Sequence, residues 1–275
     1  MSFSSLLVYA DPAASNDACF RVAGDLAARF QARAIGVSAG DITSGLYFSE
    51  GAYAADLLEQ ERTALQARMA DAERAFRQAL DGRAKALEWR SALDLPAAFV
   101  ARQGRAADLI VVGSHPDGDM LDPMVRLNPG ELLLRAGRPV LVVPSDCNGL
   151  KAKNILVGWK DTREARRAIR DALPLLKLAD EVHVVQVLET ADDKSEVRSA
   201  LDDVTAWLLV HGIKAAAMTP AATGKKGQLD AIAAERGSDL IVAGGYGHTR
   251  LREWIWGGMT LDLLTRTKCC SLLSH

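Results

Sequence analysis

One stretch of this chain is written twice. Asp108-Leu-Ile-Val-Val-Gly113 returns as Asp239-Leu-Ile-Val-Ala-Gly244, an offset of 131 residues. Leu133-Leu134 then falls on Leu263-Leu264 and Val142-Val143 on Leu272-Leu273, both with an offset of 130. Upstream, Leu6-Leu7-Val8 matches Ile155-Leu156-Val157, and Ile35-Gly36-Val37 matches Val184-Val185-Gln186, both with an offset of 149. The one-residue slip puts a loop between the repeated motif and the last helix of each copy. The larger offset means that the first copy carries extra residues in its middle. Pro144–Lys153 is polar and turn-prone, which predicts the boundary there. Two domains of one fold are expected, over 1–146 and 152–275.

Each copy alternates strand-like and helix-like stretches. Lys153–Gly158 is a short apolar run, the pattern of a strand buried on both faces. Arg163–Leu176 follows, with Ala165, Ala168, Ile169, Ala172, Leu173 and Leu176 on one helical face and Pro174 bending its last turn. Glu181–Leu188 reads as the second strand. Val197, Leu201, Val204 and Leu208 mark an amphipathic helix. Gly212–Met218 reads as a third strand, Leu229–Arg236 as a helix and Asp239–Ala243 as a fourth strand. Leu261–Thr267 is a last helix and Cys269–Leu273 a last strand. In the first copy, Leu58, Leu65, Met69, Ala72, Phe76 and Leu80 form the buried stripe of one long helix. Strands alternating with helices imply α/β architecture: two repeated doubly wound domains, each a five-stranded parallel sheet with helices on both faces. Before its long helix the first copy inserts Ser38–Ala55, either a lid or contact surface or a tolerated insertion.

Composition removes several functions. The chain has 275 residues, 49% of them hydrophobic, with 33 basic against 35 acidic side chains. That much apolar surface excludes a disordered tail. A net charge of −2 gives no field for holding nucleic acid or anionic lipid. The longest apolar runs are strand-sized, so no membrane span is expected. Cys19, Cys147, Cys269 and Cys270 form no Cys-x-x-Cys pair, and Met1–Ala10 does not read as a signal peptide, so a reducing, cytoplasmic location is expected. His115, His183, His211, His248 and His275 are too scattered for a zinc site. Thr223-Gly-Lys-Lys-Gly227 lacks the leading glycine and the following Ser or Thr of a P-loop, and no Gly-x-Ser-x-Gly elbow is present. Arg163, Arg166, Arg167 and Arg170 line one helix side and read as a solvated face.

The densest glycine cluster runs from Gly244 to Thr260, from the end of the fourth strand to the first turn of the last helix. Ligands of open α/β sheets sit at the carboxyl ends of strands, where connections diverge. Glycines there let backbone N–H groups approach phosphate oxygens, and a helix N-terminus adds a favourable dipole. Thr260 is placed to cap the helix or to donate its hydroxyl. Glycines required only by turns would leave the same pattern.

Gly244-x-x-Gly247, nine residues, then Gly257 resembles the nucleotide signature of the universal stress protein family, Gly-x-x-Gly-x9-Gly-(Ser/Thr). The position after the last glycine is Gly258 here, with Thr260 two further on. Ile155–Arg167 looks like that family's first strand and helix start, and Cys270–His275 like its last strand. The resemblance covers the chain as a tandem and is closer in the second copy. It implies strand order 3-2-1-4-5, dimerisation through the last strand, and ATP as ligand, with Mg²⁺ as an accompanying ion. It also implies an adenine-nucleotide site of Gly158, Trp159, Lys160, Asp161, Val187, Gly244, Gly245, Tyr246, Gly247, His248, Arg250, Gly257, Gly258, Met259 and Thr260. Asp161 matches the acidic position near adenine and ribose, and with Glu164 three residues later it also reads as a capping box. Val187, ending the second strand, matches an adenine-lining position.

The first copy departs from the signature. Pro116 stands where Gly247 does, and Leu127 or Asn128 opposite Gly257 with Pro129 beside it. A nest of amides does not survive two prolines, so the first copy keeps the fold and loses the site. The function expected is a stress-response protein that binds ATP in its second domain, sensing or protecting without catalysis. The alternatives are a slow ATPase or phosphotransferase, with Asp161 its one candidate carboxylate, or a ligand-free scaffold acting through protein partners. The apolar last strands, Pro139–Val143 and Cys269–Leu273, must be covered. Intramolecular pairing of the two domains is expected from this, and a homodimer of whole chains beyond it.

Overall fold

The strands that open each copy are apolar on both faces, so each must lie inside a sheet rather than at its rim. The computed structural model of the chain describes residues 2–42, 52–114, 126–190, 192–223, 227–246, 258–265 and 268–275. In the first copy these residues build β1 (Ser5–Tyr9), α1 (Asp17–Phe30), β2 (Arg33–Gly40), α2 (Ala52–Leu80), β3 (Leu87–Leu93), α3 (Pro96–Gln103), β4 (Leu109–Gly113), α4 (Pro129–Ala136) and β5 (Val140–Val143). The second copy has β6 (Asn154–Gly158), α5 (Arg163–Asp171), α6 (Leu173–Leu176), β7 (Glu181–Val185), α7 (Lys194–Val210), β8 (Ala216–Met218), α8 (Gln228–Glu235), β9 (Leu240–Gly244), α9 (Gly258–Thr265) and β10 (Cys270–Ser274).

Contacts divide the chain into two units, one formed by Phe3–Arg138 with Val143–Gly149, the other by Leu150–His275 together with Pro139–Val142. The strands of the first copy run in the order β3-β2-β1-β4-β5, and those of the second in the order β8-β7-β6-β9-β10. Each is the order 3-2-1-4-5. In the first unit β1 lies parallel between β2 and β4, and β3 extends β2. In the second unit β6 lies parallel between β7 and β9, β8 extends β7, and β10 extends β9. The strand β5 adds to β10 antiparallel, with Leu141 opposite Leu272. The sheet is thus mostly parallel, flanked by helices, as alternating apolar strands and amphipathic helices require.

The repeated aspartate has a structural task. Asp108 Oδ2 accepts from the amides of Ser4 and Ser5 at 2.8 and 3.0 Å. Asp239 accepts from Lys153 and Asn154 at 3.0 and 3.3 Å. Each carboxylate satisfies amides at the start of its domain's central strand. The core of the first unit includes Phe20 and Phe76, edge to face at 5.8 Å, and the half-buried Trp89 packs on Phe76 at 5.6 Å. Leu65, Met69, Ala72, Phe76 and Leu80 are buried along α2 as their spacing predicts, while Leu58 is half-buried.

Several expected boundaries move. The helix expected over Arg163–Leu176 breaks at Ala172, because Pro174 supplies no amide and opens the separate turn α6. The third strand shrinks to Ala216–Met218, since β7 offers partners only at His183, Val184 and Val185. The second strand ends at Val185, and Leu188 makes only an isolated bridge to Ala221. The expected insertion Ser38–Ala55 is narrower: Ser38–Gly40 continue β2 and Ala52 opens α2. Residues 43–51 lie outside the described residues.

Candidate functional site

The polypeptide turns away from the sheet in opposite directions after β6 and β9, which are neighbours in register at Gly158 and Ala243. The strand order reverses here, the position at which open α/β sheets hold their ligands. On its first side lie Gly158, Trp159, Lys160 and Asp161, joining β6 to α5. On its second lie Gly244, Gly245 and Tyr246, leaving β9. Val187 lies two residues past the end of β7 and is half-buried. The first turn of α9 contains Gly258, Met259 and Thr260. Gly247, His248, Arg250 and Gly257 lie outside the described residues, as does Pro116 of the first copy.

Two expected caps are corrected. The N-cap of α5 is Thr162, not Asp161. Thr162 has extended backbone angles and its hydroxyl accepts from the Ala165 amide at 3.3 Å. The Asp161 carboxylate is instead held by Arg166, whose Nε and terminal nitrogen reach the same oxygen at 3.0 and 2.6 Å. The long guanidinium reaches back over the first turn and takes the carboxylate before it can cap. Thr260 does not cap α9 either, because that helix begins at Gly258 and Thr260 lies inside its first turn.

The glycines are not all alike. A Cβ on Gly244 would meet the backbone nitrogen of Ala165 at 2.5 Å and the carbonyl carbon of Glu164 at 2.7 Å, and one on Gly158 would meet Leu229 at 2.8 Å. At Gly244 the backbone of α5 fills the space and excludes a side chain, whereas at Gly158 the end of the Leu229 side chain would have to shift. The Gly245 amide donates to Ser274 at 2.9 Å, tying the loop to β10, and His275 Nδ1 lies 3.1 Å from its carbonyl. Tyr246 adopts φ +52, a left-handed conformation that a bulky side chain rarely takes. Burial pushes its phenol up to about 12. Lys160 pairs with Glu189 at 3.6 Å, both side chains being largely exposed.

Three buried polar atoms at this edge have no hydrogen-bond partner among the described residues: Trp159 Nε1, Gln186 Oε1 and Glu164 Oε2. Trp159 and Gln186 follow directly on β6 and β7, and the Trp159 amide donates to Val185 at 2.8 Å. One is a donor and the other an acceptor. Glu164 is 1% exposed and its other oxygen receives Arg163 Nε at 2.5 Å. Burial raises its carboxyl, but hydrogen bonds from Arg163, its own amide and Thr162, with the Arg163 charge, hold it below the ordinary value. The sequence reading missed Gln186 and treated Glu164 only as a capping partner. Their burial depends on strands and helices distant in sequence, and no local spacing marks it.

In the first copy the equivalent helix start is self-satisfied. Asn128 caps α4, accepting from the amides of Gly130 and Glu131 at 2.9 and 3.1 Å, and Pro129 has no amide to offer. Leu127 is buried.

Among the described residues, no group of three or more His, Cys, Asp or Glu side chains is placed to hold a metal, and no helix is long and apolar enough to cross a membrane. No protein-family model matches the chain, and no curated protein matches it. Solved structures do. A universal stress protein from Archaeoglobus fulgidus DSM 4304 superposes with a TM-score of 0.74 at 16% identity, covering 98% of this chain and 95% of that one. A protein of unknown function from Pseudomonas aeruginosa PAO1 gives 0.59 at 15% identity over 99% and 92%. A provisionally named universal stress protein from P. aeruginosa UCBPP-PA14 gives 0.58 at 16% identity over 99% and 93%. The strand orders and flanking helices define a tandem of doubly wound α/β domains. The tandem has the universal stress protein fold over essentially its whole length.

Proposed function

We propose that the chain binds one adenine nucleotide, ATP, at the carboxyl edge of its second repeat, and serves a stress response by sensing or protection rather than turnover. The observation that supports this reading is that Trp159 Nε1 and Gln186 Oε1 are buried without hydrogen-bond partners among the described residues, on residues that follow directly on the neighbouring strands β6 and β7. A purine edge offers an acceptor and a donor together, and buried polar groups require partners. The glycine-rich segment after Gly244 and the start of α9 supply amides for phosphates, whereas Asn128 and Pro129 deny them in the first repeat. Mg²⁺, where it accompanies ATP, is held chiefly by the phosphates. Asp161 is engaged by Arg166, which argues against its service as a catalytic base.

The domains 1–146 and 152–275 pair, in this reading, through their last strands, with β5 on β10 as the joining ladder. Whole chains associate further as a homodimer. A cytoplasmic location belongs to the same reading, from four cysteines that form no Cys-x-x-Cys pair in the sequence. The test is mass spectrometry of small molecules released on denaturing the purified protein, followed by calorimetry with ATP. One nucleotide per chain is expected. Gly247→Val should weaken binding about a hundredfold or more, by crowding the phosphates and removing two hydrogen bonds to them. Gly113→Val should leave binding unchanged. Two sites per chain, or full binding by Gly247→Val, would overturn the assignment.

A further inference from the structure

Between α5 and α7 of the second repeat runs a groove of about 600 Å³, lined by Trp159, Asp161, Arg166, Ile169, Arg170, Ala200, Asp203, Val204 and Trp207. Its lining follows from the helical periodicity. Arg166, Ile169 and Arg170 share one side of α5, and Ala200, Asp203, Val204 and Trp207 share one side of α7. Ile169 and Trp159 are buried, Ala200 and Val204 half-buried, and Trp207 is 37% exposed. The Trp207 indole packs against His211, ring centroids 4.4 Å apart at 66°. The apolar lining is thus two indoles and three aliphatic side chains, at a volume typical of small-molecule sites.

The charges around it are not all spent. Arg166 is committed to Asp161. Arg170 on α5 and Asp203 on α7 are both exposed, and neither has an ion-pair partner among the described residues. A ligand suited to this groove has a flat apolar body for the indoles, an anionic end for Arg170 and a cationic end for Asp203. We propose that the α5–α7 groove of the second repeat binds a free aromatic amino acid, its ring against Trp159 and Trp207, its carboxylate on Arg170 and its ammonium on Asp203. Arg offers a planar fork that fits a carboxylate, and aromatic faces favour ring partners. A ligand carrying only one of the charges would leave the other lining group unmatched, so both ends contribute to selection.

Calorimetry of the intact protein with L-phenylalanine, phenethylamine and 3-phenylpropionate tests this. L-Phenylalanine should bind one per chain, and each analogue, lacking one charge, about tenfold more weakly or worse. Arg170→Gln should bring L-phenylalanine down to the level of phenethylamine, and Asp203→Asn down to that of 3-phenylpropionate. Val204→Trp fills the groove and should abolish binding, with circular dichroism and thermal midpoint reporting whether the fold is kept. The L-phenylalanine titration requires no nucleotide, so failure of the ATP reading would leave it intact. No binding of L-phenylalanine, equal binding of all three compounds, or an unchanged preference in both charge variants would overturn the proposal.

Discussion

Gly244 and Gly113 end equivalent strands of the two copies, yet their surroundings differ. Any side chain on Gly244 drives into the backbone of α5, and backbone cannot turn aside as a flexible side chain can. Gly244→Ala should therefore destabilise the protein by about 1–3 kcal/mol, the usual cost of overpacking. A Cβ on Gly113 meets nothing within 4 Å among the described residues, so Gly113→Ala should fall within about 0.5 kcal/mol of the parent. Urea unfolding of the two variants checks the contrast. Glu164 gives a prediction of a different kind. Its folded carboxyl titrates below the ordinary 4.5, so its contribution is complete above that pH and is lost as the pH falls through the lowered folded value. The stability gap between the parent and Glu164→Gln should be widest near neutrality and should narrow on acidification. A gap that stays constant down to about pH 3 would show that the carboxylate charge contributes nothing.

At the scale of elements, the caps decide where helices begin. Thr162→Ala should cost about 1 kcal/mol, because the Ala165 amide loses its acceptor. Asp161→Ala should cost well under that, since its pair with Arg166 is exposed on both sides. Thermal unfolding separates the two, and the opposite ranking would restore Asp161 as the cap. Two neighbouring residues, both good caps by type, were not distinguishable in the sequence. The choice rests on an arginine five residues away that competes for one of them. The apolar strands and helix faces were legible because burial imposes a period, and the repeat transferred each reading from one copy to the other. That β6 and β9 end side by side, with Gly158 and Gly244 closing them, was legible for the same reason. Gln186, buried Glu164 and the groove between Trp159 and Trp207 were not. They arise where elements distant in sequence meet, and neither tryptophan stands in a pattern that announces the other.

At the scale of the molecule, the contact boundary does not follow the repeat boundary. Pro139–Val142 come from the first copy in sequence but group with Leu150–His275. A fragment 152–275 therefore leaves the outer edge of β10 bare, whereas a fragment 139–275 keeps β5 against it. Bare apolar edges recruit other chains. Light scattering should find the shorter fragment self-associating and the longer one markedly less so. If the two behave alike, β5 is not needed to cover that edge. Added in trans, a fragment 1–146 should bind 152–275 and suppress its self-association, and the absence of any mutual affinity would count against pairing through the last strands.

The same ladder sets a timetable. Leu141 pairs with Leu272, so 272 − 141 = 131 residues must follow the first partner out of the ribosome before the second exists. At about 5–20 residues per second, β5 waits roughly 7–26 s for its antiparallel neighbour. During that interval four consecutive valines and leucines, Val140–Val143, have no β10 to pair with. Synthesis is thus the period when this protein is most exposed to misassociation, and a nascent chain stalled just short of Cys270 is the species on which chaperones should be found.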